Sequence, residues 1–220
     1  MILYLISYTR YIKTMLYLYI ALIICIIIYL YYKDNYRWAA FNGRRYFVAA
    51  RYGNSEDAAR LLDRLNADML QLLAFLKKKY VPDEDPAISP DDRKNVVVSM
   101  LRNYNTERIF EHDPCSGADT SYTINKGEQT YVCVRDRDAP QNIIDYNTIL
   151  FVMLHELSHI GAYDVQQHPE RFWIIFKFIL GEAVAAGIYQ PVNYANAPVK
   201  YCGMNVSYNP LFDTNLRPLL

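Results

Sequence analysis

The stretch His155-Glu156-Leu157-Ser158-His159 constrains this chain more than any other. On a helix, two histidines four residues apart lie roughly 40° apart around the axis and about 6 Å apart along it. Both imidazoles then leave one face and can grip one ion. Glu156 sits one position round, beside such an ion rather than on it. Two nitrogen ligands, a nearby carboxylate and room for a water are what a zinc hydrolase requires. A chance match of this pattern arises in well under about one chain in a hundred. The flank from Ile149 to Leu154 is apolar, so the helix is expected to be buried, and a buried ionisable cluster needs a partner. The bland alternative is a core helix carrying two surface histidines.

A catalytic zinc site usually has three protein ligands and leaves a fourth position for water. The chain has 4 histidines. His168 lies in the short loop after the metal helix, and a loop that turns back can reach the ion directly. The rival is Glu182 on the following helix, which would make a two-His, one-Glu site. The loop's reach favours metal ligands His155, His159 and His168, with Glu156 as the catalytic base. Glu182 then supports a histidine N–H or sits at the core edge. His112, without ligand spacing, reads as a surface residue.

The second constraint is an uncharged run of 19 residues from Thr14 to Tyr32, rich in Ile, Leu and Tyr. As a helix it spans about 28 Å, close to the hydrocarbon thickness of a bilayer. Tyr17 and Tyr19 at one end and Tyr29, Tyr31 and Tyr32 at the other resemble an aromatic belt. A cleaved signal peptide fits less well: the run is long, and Tyr31-Tyr32-Lys33-Asp34 offers no small-residue cleavage site. The expectation is a single-pass membrane protein. Arg10 and Lys13 precede the span, while Lys33, Arg37, Arg44, Arg45 and Arg51 follow it, which by charge puts the C-terminal domain on the cytosolic side. The sequon Asn205-Val206-Ser207 argues the other way, but such triplets are common by chance.

Lys and Arg together number 23, as do Asp and Glu, so there is no bulk electrostatic attraction to nucleic acid. The partners expected are a protein or peptide substrate and, through the N-terminal helix, membrane lipid. Cys25 lies inside the apolar span. Cys115, Cys133 and Cys202 form an odd set with no C-x-x-C pair, so reduced, mostly buried thiols are expected.

The chain divides into a short segment 1–13, a transmembrane helix 14–32, a juxtamembrane segment 33–54 and one domain over 55–220. Within the juxtamembrane segment Asn42-Gly43 marks a turn and Arg45 to Arg51 can form a short strand. Ser55 to Tyr80 is the clearest helix: Ala58, Leu61, Leu62, Leu65, Met69, Leu72, Leu73 and Leu76 make one apolar stripe. Ser55 is its expected N-cap, and Pro82 and Pro86 break the chain after it. A second helix runs from Pro90 or Asp91 to about Asn103. Ser121 to Arg135 reads as a hairpin turning at Asn125-Lys126-Gly127-Glu128. Its edge could bind an extended peptide beside the metal. Asn147 or Thr148 can cap the metal helix, which ends near Gly161. Pro169 suits the start of the next helix, striped by Phe172, Trp173, Phe176, Ile179, Leu180, Ala183 and Val184. The fold class is α+β, mostly helical, with a small antiparallel sheet over the metal helix.

The run from His155 to His159 followed by His168-Pro169-Glu170-Arg171-Phe172-Trp173 resembles the WLM metallopeptidases, within the broader SprT-like zincins. The likeness covers Ser121 to Tyr189, and membrane-anchored relatives in large DNA viruses are similar further out, around Tyr201-Cys202-Gly203. It implies a zincin-like domain, a bound zinc ion (Zn2+) and peptide hydrolysis, with Glu156 moving the proton and Tyr189 or Tyr201 supplying an oxyanion donor. The 8 residues between His159 and His168 exceed the family's usual short loop, and there is no basic DNA-binding tail. A different class, a membrane-tethered scaffold that keeps a zinc fold without turnover, would need a fourth protein ligand.

Overall fold

The computed structural model describes residues 2–82, 89–117 and 120–220. Pro86 lies outside them. Helix α1 (Ile2–Asn35) contains an apolar stretch, Arg10–Asn35, long enough to cross a bilayer and buried against nothing. It encloses the expected span 14–32. Strand β1 (Tyr36–Phe41) starts at the next residue, with no linker, and turns at Asn42-Gly43 into β2 (Arg44–Ala49). Helices α2 (Ser55–Tyr80) and α3 (Asp92–Asn103) follow, then strands β3 (Ile109–Glu111), β4 (Tyr122–Ile124) and β5 (Gln129–Val132). Helices α4 (Tyr146–Gly161) and α5 (Glu170–Ala185), a small hairpin of β6 (Val199–Tyr201) and β7 (Met204–Val206), and a 3-10 turn at Pro210–Phe212 follow.

The sheet is mixed, in the order β1-β2-β3-β5-β4. The two hairpins are antiparallel, but β2 pairs with β3 and β3 with β5 in parallel. This corrects the expected antiparallel sheet. Parallel pairing joins segments far apart in sequence, and no local pattern announces it. Residues 33–54, read as a separate juxtamembrane piece, supply two of the five strands.

One sheet face is the core. Tyr46 and Val48 of β2, Ile109 of β3 and Val132 of β5 are buried with the stripe of α2, whose Leu62, Leu65, Met69, Leu72 and Leu76 are fully enclosed. That stripe follows the 3.6-residue period read from sequence. Asp63 and Asn66 are buried on the same helix, and each is satisfied: Asp63 accepts from Asn42 and Tyr46, and Asn66 donates to the Thr106 carbonyl. The Asp91 side chain caps α3 by accepting from the Arg93 N–H at 3.0 Å. For α2 the capping position is Asn54 rather than Ser55, and for α4 it is Asp145 rather than Asn147 or Thr148.

The cysteines behave differently from expectation. Cys133 and Cys202 form a disulfide across 69 residues, while Cys25 and Cys115 are free and exposed. An odd count excludes full pairing but not one bridge. The bridge joins the end of β5 to the β6–β7 turn. His112, expected at the surface, is buried: its N–H continues the sheet ladder to the Val132 carbonyl at 2.8 Å, and its ring meets the edge of Tyr122.

Candidate metal centre and cleft

Helix α4 is packed into the core along most of its surface. Ile149, Leu150, Met153, Leu154, Leu157 and Ile160 are buried, and Asp145 accepts from the Thr148 N–H at 3.0 Å to start it. At its far end α3 passes so close that a Cβ on Gly161 would lie 2.9 Å from Val96 Cγ1. The face left open carries His155 and His159, four residues apart as the motif requires.

After α4 the chain turns back through residues 162–169, and His168 comes to face both helical histidines. His168 Nε2 lies 2.9 Å from His155 Nε2 and 3.1 Å from His159 Nε2. The ligating atoms of all three converge within 4.8 Å, close enough to hold one metal ion. A shared proton could link only one pair of imidazoles at a time, so three converging nitrogens fit a cation better. The chemistry agrees. Burial, with each neighbour's charge added, holds His155 down at about 3 and His159 at about 4, and burial also lowers His168. Neutral imidazoles are the form that binds a metal, without a proton to displace.

The aromatic pair of the next helix explains how the rings are aimed. Phe172, fully buried at the start of α5, stacks on His159 at 4.4 Å and meets His155 and His168 edge-on at 4.8 and 4.7 Å. Trp173 flanks His168 at 5.7 Å.

Glu156 points from the same helix toward the sheet. It is almost wholly buried, and its Oε2 has no hydrogen-bond partner among the described residues. Burial pushes its carboxyl up to about 7, opposed by the Thr123 hydroxyl on β4. An enclosed carboxylate oxygen without a partner is costly, and Glu156 stands in the wall of a cleft of about 870 Å³. His155, Glu156, His159 and His168 line that cleft together with the edge strand β4, Trp173, Phe176 and the 201–208 segment.

Other expected residues stand elsewhere. Glu182 is neither a ligand nor a histidine partner. It accepts from Lys79 Nζ at 2.8 Å and Tyr80 Oη at 2.9 Å, tying α5 to the end of α2. Its helical position, more than two turns beyond Phe172, carries it past the site. Tyr189 is buried away from the cleft, where Asn209 donates to its hydroxyl at 3.2 Å. Tyr201 lines the cleft, but its hydroxyl donates to the Cys133 carbonyl at 2.8 Å and shares 2.6 Å with Ser121 Oγ. It is a wall residue, not a free donor. Two cleft residues escaped the sequence reading. Lys126, in the β4–β5 turn, donates from Nζ to the carbonyls of Ala162 and Val165 and so braces the loop that delivers His168. Tyr208 meets Trp173 edge-on at 5.2 Å with its ring half exposed in the cleft. No sequence signal marks either one, because both act through segments distant in the chain.

Residues 99–200 match the WLM domain family, a family associated with metallopeptidase activity and linked to zinc. Over this stretch the chain is similar to the WLM domain. The match reaches beyond the resemblance read from sequence on both sides, taking in the end of α3 and all of β3 before it and the start of β6 after it. Relatives include an uncharacterized protein of Acanthamoeba polyphaga mimivirus, 35% identical over 96 residues, which are 44% of this chain and 47% of that one. An uncharacterized protein of Invertebrate iridescent virus 6 is 36% identical over 94 residues, 42% of this chain and 50% of its own. A third, from Invertebrate iridescent virus 3, is 33% identical over 112 residues, 51% of this chain and 62% of its own. The chain thus spans about half the length of the first two of these curated relatives. No solved structure is significantly similar to it.

Proposed function

We propose that this chain is a membrane-anchored, zinc-dependent endopeptidase of zincin-like architecture. One observation carries the reading: three converging imidazole nitrogens and a glutamate with a buried, unpartnered carboxylate oxygen stand in the wall of the same cleft. His155, His159 and His168 would hold the ion. Zinc at that point would supply an acidified water and polarise the scissile carbonyl. Glu156 would take the water's proton on Oε2 and deliver it to the leaving amine, a role suited to a carboxyl pushed up to about 7.

An extended peptide would add to the open edge of β4, pairing by main-chain hydrogen bonds. With Tyr201 committed to the buried Cys133 carbonyl, Tyr208 would donate to the developing oxyanion by exchanging the exposed hydrogen bond that its hydroxyl donates to Asp213 Oδ2 at 2.8 Å. The scaffold alternative needs a fourth protein ligand, and among the described residues none joins the three histidines. The uncharged stretch of α1 would anchor the enzyme in lipid.

Glu156→Gln in the full chain tests the chemistry. It should retain zinc and lose peptide hydrolysis by about 10² to 10⁴-fold. Hydrolysis at the wild-type rate would remove Glu156 from the reaction.

A further inference from the structure

The sheet has a second face. Side chains alternate along a strand, so residues next to the core ones point away from the helices. Trp38 of β1, Phe47 of β2, Phe110 of β3, Tyr131 of β5 and Tyr122 of β4 all lie there, and each is register partner to the next across the whole sheet. Their rings touch in sequence, at centroid distances of 5.2, 6.3, 5.1 and 4.8 Å for Trp38–Phe47, Trp38–Phe110, Phe110–Tyr131 and Tyr131–Tyr122. None of the five belongs to the buried core, and Trp38 is 53% exposed.

What covers such a face is indicated by what it adjoins. Tyr36, on the same side, stacks on Phe47 at 5.2 Å and touches Tyr32 of α1 at 5.7 Å. The aromatic row is therefore continuous with the end of the apolar helix, with no intervening linker. The rings at this junction are Tyr and Trp, the side chains that favour the boundary between headgroups and acyl chains. The charge matches as well: Arg45, on the same face as Phe47, holds its guanidinium over the Trp38 ring at 5.6 Å, whereas Arg37, Arg44 and Arg51 pair with Glu56, Asp63 and Asp113.

We propose that the outer face of the sheet lies flat on the bilayer surface, its aromatic row seated among the lipid headgroups and Arg45 on a lipid phosphate. The inference rests on the proposal that α1 spans a membrane. It also places the cleft, since Tyr122 ends the row and lines the cavity.

The test uses the full chain in phosphatidylcholine vesicles, with or without phosphatidylglycerol, and brominated lipid as a contact quencher. Two single-tryptophan reporters are compared: Trp38 itself in a Trp173→Phe background, and Tyr131→Trp with Trp38→Phe and Trp173→Phe. Position 131 stands three strands, about 14 Å, from Trp38. A face seated on lipid loses emission at both positions, more so with phosphatidylglycerol, and Arg45→Glu reduces the loss at 131. Quenching of Trp38 alone means that only the tether approaches lipid and overturns the proposal. So does emission that varies with protein-to-lipid ratio but not with brominated lipid, the result for a face covered by a second copy. A chain that alkaline carbonate strips from the vesicles fails the membrane reading itself, and the proposal with it.

Discussion

Lys126 should separate metal holding from folding. Its ammonium spans from the β4–β5 turn to two carbonyls of the loop that carries His168. Lys126→Met keeps the methylene stem and removes both bonds. The variant should fold, yet bind zinc about 10-fold to 100-fold more weakly, as when outer partners of metal ligands are lost. Competition with a chromophoric chelator measures this, and an unchanged affinity would show that the loop holds itself. Tyr208→Phe addresses the reaction instead. It should retain zinc and lower kcat by about 10²-fold with little change in KM; a kcat equal to wild type would assign the oxyanion donor elsewhere. At this scale the sequence was informative where chemistry is periodic. His155, Glu156 and His159 share a helix, and His168 follows closely enough for a loop to return it. It was silent where contacts are remote. Nothing in the surroundings of Glu182 says that Lys79 and Tyr80 will claim it, nor does the run around Tyr201 reveal that the Cys133 carbonyl accepts from its hydroxyl.

Among the elements, the joint between β3 and the membrane-proximal hairpin has a pH signature. Asp113, just past β3, accepts from Tyr36 Oη at 3.0 Å and Tyr52 Oη at 2.8 Å, and pairs with Arg51 at 2.5 Å. Burial alone would raise its carboxyl. The Cys115 N–H, both tyrosines and the Arg51 guanidinium together hold it below the usual range. A carboxyl depressed in the folded state adds stability above its unfolded pKa, and that stability is lost as pH falls through the folded value. Wild type should therefore lose unfolding free energy below about pH 4, and Asp113→Asn, weaker at neutral pH, should lose less of it there. Denaturant titrations at pH 7 and pH 3 give the comparison; parallel pH slopes would exclude Asp113 as the source. The helices here were legible because one stripe repeats every turn, as in α2, and the β4–β5 hairpin because its turn residues sit between short apolar runs. The β1–β2 hairpin had the same marks, but its nearness to the apolar span hid its place in the sheet. Its pairing with β3 crosses more than fifty residues and leaves no local trace.

For the whole molecule, the proposal that α1 spans a membrane raises the question of which side the domain would occupy. The basic residues after the span point to the cytosol. The Cys133–Cys202 bridge points the other way, since disulfides persist in oxidising compartments. The sequon adds nothing to either side: Asn205 lines the cleft, and a glycan there would stand in the path of a substrate. A covalent bridge between two buried cysteines is the more demanding requirement. In sealed membrane vesicles from expressing cells the domain should resist added protease until detergent is present, with the bridge intact on thiol-blocked, non-reducing gels. Digestion without detergent would restore the orientation expected from charge.

The direct passage from α1 into β1 has one more consequence. A catalytic domain on a flexible tether can sweep a wide volume and meet substrates at many levels. Here Asn35 ends the helix, Tyr36 begins the sheet, and the Asn35 carbonyl accepts from the Ala50 N–H across the hairpin at 2.8 Å. With α1 in a bilayer, as proposed, the cleft would travel sideways in the plane of the membrane but scarcely up or down. Such an enzyme would act as a ruler, choosing the bond it cuts by altitude above the lipid before it reads any side chain.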